Sequence, residues 1–149
     1  MTDAEMDELM KAYATDAVAA AGRRAVVLDY TEESLAGVDE LLGRESFIGR
    51  TPRTPESDED EKTLWSCSKM FGAYVGEVVL RTMGGRWIAD PTPSGGTRAA
   101  VLVEGARGFP VDTVWKRLTE DQFKGLGGYC RVLRVVLANQ TKGRTEEPS

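Results

Sequence analysis

The sequence predicts an α+β fold, a small and mostly antiparallel sheet of about three strands packed with four to five helices. Three observations lead there. Long stretches repeat apolar residues at helical spacing, and short β-branched runs sit between turn signals. The strand candidates are too few and too separated for a barrel, a sandwich or a doubly wound sheet. A length of 149 residues, 41% hydrophobic and 29% charged, suits one core and a chain that folds, so residues 1–149 are expected to form a single domain.

The elements follow in order. Thr2-Asp3-Ala4-Glu5 has the form of a capping box, in which hydroxyl and carboxylate each satisfy an end-of-helix amide. The alanine-rich run to Ala21 propagates that helix, and Gly22 is its expected stop. Arg24 to Asp29 is short and β-branched, which predicts a buried strand. Thr31 is placed to cap a second helix whose first-turn acids, Glu32 and Glu33, suit the positive end of its dipole. Leu35, Val38, Leu41 and Leu42 form its apolar stripe and Gly43 its end.

From Arg44 to Lys62 the periodicity fails. Two Thr-Pro dipeptides and the acidic run Glu56 to Glu61 predict a mobile surface loop near 50–62, with too little apolar surface to offset ordering entropy. Leu64, Cys67, Phe71, Tyr74, Val75, Val78 and Val79 then mark the longest helix, ended by Gly84-Gly85. Its face, together with Leu35, Val38, Trp87, Leu102 and Leu133, is the predicted core. Arg86 to Ala89 and Ala99 to Val103 are expected to pair as a hairpin across a Pro/Gly/Ser loop. Gly105 to Gly108 reads as a turn, Pro110 to Leu118 and Tyr129 to Leu137 as closing helices, and the chain from about 140 as a frayed tail.

Composition narrows the chemistry. The chain has no histidine, which excludes Ser-His-Asp and Cys-His nucleophiles, histidine acid/base chemistry and histidine-ligated metals. Cys67 and Cys130 offer no zinc-ligand spacing and are expected to be buried small hydrophobes. No metal site and no cofactor is expected: Gly105-Ala-Arg-Gly108 and Gly125-Leu-Gly-Gly128 lack the lysine-hydroxyl pair of a phosphate loop and a complete dinucleotide fingerprint. An acidic N-terminus unlike a secretory signal, and no apolar run long enough to span a bilayer, point to a cytoplasmic protein.

The formal charge of −5 conceals a division along the chain. Residues 1–61 carry 6 basic and 16 acidic side chains, whereas residues 62–149 carry 13 and 8. That balance argues against nucleic-acid or anionic-membrane partners and favours a basic protein partner. Asp58, Glu59, Asp60 and Glu61 are the candidate partner-binding residues. Gly76 and Glu77 are the other anomaly, a glycine and a carboxylate inside an apolar helix. Gly76 implies that another backbone passes close by. Glu77 is either a general base in a cleft with Tyr74, Arg86 and Trp87, or a structural group held by Arg81, Arg86 or the Trp87 indole.

Ser34 to Asp39, Ala73-Tyr-Val-Gly-Glu-Val78, Gly84-Gly-Arg-Trp87 and Phe109-Pro110 before Val114-x-Lys116-Arg117 together resemble a group of small bacterial domains of unknown function. The resemblance covers roughly residues 26–137 and brings no catalytic residue with it. It implies an α+β bacterial domain of a kind often proposed as an immunity protein for a secreted toxin, or as an accessory interaction module. The leading expectation is therefore a noncatalytic protein-interaction module, in its sharper form an immunity protein facing a basic toxin domain. The alternatives are a small carboxylate-based enzyme built on Glu77 and a structural subunit of a homo-oligomer.

Overall fold

The computed structural model describes residues 1–44, 47–49, 51–120 and 125–146, with side chains up to Asn139 in the last helix. It shows an α+β fold in the order α1 (Asp3–Gly22), a 3-10 turn (Glu32–Ser34), α2 (Leu35–Gly43), α3 (Asp58–Met83), β1 (Arg86–Pro91), β2 (Thr97–Val103), β3 (Ala106–Gly108), α4 (Pro110–Thr119) and α5 (Tyr129–Glu146). The strands form one antiparallel sheet in the order β1-β2-β3.

The capping box at Thr2 and Glu5 is present, with both reciprocal bonds formed. Asp3 extends its effect: its carboxylate accepts from the Ala89 N–H of the edge strand β1 and from Arg86, at 2.9 Å each. Those bonds hold the Asp3 carboxyl below its usual pKa, the Ala89 amide first and the Arg86 guanidinium second. The start of α1 is thereby tied to the sheet.

Arg24 to Asp29 is not a strand. The chain leaves α1 through a paired closure: Val26 N–H donates to Ala21 O, Ala25 N–H donates to Gly22 O, and Ala25 takes φ +61. This is the Schellman pattern with alanine in the left-handed position usually given to glycine. The helix ends at the expected Gly22, and the turn that closes it runs on to Val26. Val26 and Leu28 turn inward and pack at Gly37 of α2, while Val27 is 83% exposed. Burial drew β-branched residues to this segment without any ladder to join.

The acidic stretch also differs from expectation. Asp58 to Glu61 form the first turn of α3, capped by the Ser57 hydroxyl, which accepts from Asp60 N–H at 3.1 Å. Four carboxylates at a helix N-terminus face the positive end of its dipole, which offsets their mutual repulsion. Residues 51–57 belong to no helix or strand, and Arg50 lies outside the described residues.

The core runs along α3. Leu64, Phe71, Tyr74, Val75 and Val78 are fully buried with Leu35, Val38 and Trp87, as expected, and Leu133 packs against them. Leu102 does not join them. It pairs with Arg86 on the opposite face of the sheet, because alternation along β2 turns Val101 and Val103 inward instead. The predicted hairpin forms with Trp87 opposite Val101 and Ala89 opposite Ala99. The presumed turn at Gly105 to Gly108 contains the short strand β3. The backbone of α5 is helical to Glu146, and the end of the tail expected to fray from about 140, residues 147–149, lies outside the described residues. Both cysteines are free and buried.

Candidate functional site

The four residues of the predicted cleft do not form one. Tyr74, Glu77 and Trp87 are buried to 5% exposure or less, inside the core. Glu77 accepts a hydrogen bond from the Trp87 indole Nε1 at 3.1 Å, the structural alternative read from the sequence. Arg86 stands outside with Asp3, and Arg81 lies over the Tyr30 ring at 3.6 Å. The Tyr74 hydroxyl bonds to Ser34 and accepts from Tyr30 N–H, and burial raises its pKa.

Gly76 answers to a side chain and not, as expected, to a backbone. A β-carbon there would fall 2.1 Å from the Trp87 ring. The backbone approach occurs one turn earlier at Gly72, where a β-carbon would meet the Val111 Cα at 2.5 Å. Two glycines one turn apart let Trp87 and the start of α4 seat against α3.

A second carboxylate arrangement, partly buried, was not legible. Asp39 accepts from Leu126 N–H at 2.7 Å, from Gly127 N–H at 3.0 Å and from Arg117 Nε at 3.2 Å, and Arg117 also donates to the Asp39 carbonyl. It clamps α2 to α4 and to the approach to α5. Neighbouring Glu40 pairs with Arg44 on the surface. Asp90, almost enclosed, is held by Arg98 and Arg107. Every buried side-chain polar atom among the described residues has a partner, so the inner carboxylates are committed to the fold.

The outward side of α3 is organised differently. Asp58, Glu59 and Glu61 are exposed, and Asp60 is partly withdrawn to accept from Glu56 N–H. An open groove of about 630 Å³ runs from Asp58 and Glu61 past Lys62 to Trp65, Ser66 and Lys69. Trp65 is half-buried and lies flat on Trp115 of α4, ring centres 4.1 Å apart and planes 11° from parallel. The sequence signal for Trp65 was present but weak, an aromatic on the flank of the Leu64, Cys67 and Phe71 stripe.

Trp65 and Lys69 also border a more enclosed cavity of about 330 Å³. α1 supplies Met6, Leu9, Met10 and Tyr13 to it, and Ala99 of β2 and Val111 of α4 close other sides. A third, open depression of about 550 Å³ lies between α1 and α3, with Arg23, Arg24, Phe47 and Cys67 in its walls. Burial pushes the Cys67 thiol up to about 12, which leaves almost no thiolate at neutral pH and makes it a poor nucleophile.

Among the described residues no group of His, Cys, Asp and Glu is placed to hold a metal ion, and no helix is long and apolar enough to cross a membrane. No protein-family model, curated protein or solved structure matches the chain.

Proposed function

We propose that the protein is a noncatalytic interaction module that receives a basic protein partner on the outward face of the N-terminal half of α3. The observation that supports this reading is the groove that joins Asp58 and Glu61 to Trp65. It combines what interfaces use: a half-buried aromatic anchor, backed by Trp115, within a charged and solvated rim. Acidic residues at one end and Lys62 and Lys69 further along give a partner a preferred direction. The enzyme alternative loses its main support, since Glu77 lies in the core with the indole as its partner.

In the sharper form of this reading the partner is a basic toxin domain and the chain is its immunity protein. Photo-crosslinking in the native cell tests both levels. A crosslinker at Glu61 or Ser66 is expected to capture a basic protein, and one at exposed Glu104 is not. Neutralising Asp58, Glu59, Asp60 and Glu61 together should remove the crosslink. Capture from Glu104 alone would overturn the assignment of the surface, and capture of a nontoxic partner would retain the module and discard the immunity form.

A further inference from the structure

The enclosed cavity beside the groove has the character of a small-molecule site, and its composition names a ligand class. Its walls come from four separate elements: Met6, Leu9, Met10 and Tyr13 from α1, Trp65 and Lys69 from α3, Thr97 to Ala99 from β2, and Val111 and Asp112 from α4. At about 330 Å³ it falls at the lower end of the volumes typical of ligand pockets. Met6 and Met10 are 4% and 3% exposed, so they form a floor and not a rim. Methionine side chains adapt to the shape of an apolar guest, and the Trp65 and Tyr13 rings offer flat surfaces to it.

The charged groups at the border are unequal. Arg98 contacts Asp112 at 3.5 Å and Asp90 at 3.4 Å, and its guanidinium lies over the Phe109 ring at 3.8 Å. Asp112 is thus answered by Arg98. Lys69 has no ion-pair or hydrogen-bond partner among the described residues, although its side chain borders both the cavity and the groove. An apolar chamber with an uncompensated lysine ammonium at its edge is complementary to an apolar body carrying one negative charge. We propose that this cavity binds an apolar monocarboxylate, with its hydrocarbon or aromatic body on the Met6 and Met10 floor and its carboxylate at Lys69. The cavity adjoins the groove proposed above as a protein interface and shares Trp65 and Lys69 with it, so a bound carboxylate occupies one of the two groove lysines.

The test uses decanoate as probe, with decanol and decylamine as controls of equal chain length, all below their micellar concentrations. Methyl-labelled methionine gives five NMR reporters, of which Met1, Met6 and Met10 border the cavity while Met70 and Met83 do not. Saturable shifts confined to the first three, with decanoate binding about tenfold tighter than either control, are expected. Lys69→Gln should loosen decanoate by about the same factor and leave decanol unchanged. No shift at Met6 and Met10, equal binding of all three probes, or an unaltered decanoate affinity in the Lys69→Gln protein would overturn the proposal. None of these outcomes bears on whether a protein partner binds the acidic turn.

Discussion

The two halves of α3 use the same kinds of residue for opposite purposes. From Phe71 to Val79 every residue is buried, and the polar members, Tyr74 and Glu77, each have an assigned partner in the core. From Asp58 to Lys69 only Leu64, Cys67 and Ser68 are buried, and carboxylates, two lysines and a tryptophan line an open groove. A carboxylate inside an apolar helix therefore marks a packing solution here, while the ordinary-looking charged turn supplies the accessible chemistry. A buried polar group must be satisfied within the fold; an exposed one leaves its capacity for a partner.

Substitutions in the buried half should cost the most stability. Phe71→Ala should cost about 3–5 kcal/mol in urea unfolding, because the ring is fully enclosed and its removal leaves a cavity. Gly76→Ala should cost about 3 kcal/mol or fail to fold, since the new methyl collides with the Trp87 ring of a packed core. A loss below about 1 kcal/mol in either protein would show that this half of α3 is not the packed side.

Asp39→Ala is expected to cost about 2–3 kcal/mol, because it leaves the Leu126 and Gly127 amides and the Arg117 guanidinium without their shared acceptor. Hydrogen exchange should show those two amides losing protection ahead of the α3 amides. Retained protection would mean that other acceptors hold the approach to α5.

Smaller effects lie at the two ends of α1. Ala25→Gly should raise stability by about 0.5–1 kcal/mol, because relief of left-handed strain at φ +61 outweighs the added freedom of the unfolded chain. A destabilised variant would show that the alanine methyl is packed. Asp3 has a carboxyl pKa lowered from 3.8, so its contribution is complete above that value and fades as pH falls through the depressed folded value. Asp3→Asn should therefore be less stable than the parent at pH 7, and the gap in unfolding midpoint should close as pH drops below 3.8. A gap independent of pH would place the effect in helix capping and not in the carboxylate charge.

How much of this was legible follows the range of the interactions. The capping box at Thr2, the stripe of α2, the core face of α3 and the β1-β2 hairpin depend on neighbours within a few turns, and the sequence predicts each of them. The Asp39 clamp joins positions 78 and 88 residues apart, and no local pattern announces it. The acidic turn misleads for a different reason: charge and proline content suggest a loop, but Ser57 caps a helix whose dipole accepts those acids. At Arg24 to Asp29 the β-branched composition reflects burial against α2, and composition alone cannot distinguish that from sheet pairing. Trp65 gained its meaning only when Trp115 was brought beneath it.

Whether the exposed half of α3 serves the proposed basic partner is addressed most directly by association kinetics against ionic strength. With a copurified partner, the protein neutralised at Asp58, Glu59, Asp60 and Glu61 should associate more slowly and with a flatter salt dependence, its fold intact. Glu77→Gln should lower stability and leave the association rate unchanged. An unchanged rate and salt dependence in the quadruple variant, or a rate lost on replacing Glu77, would contradict the division of labour along α3.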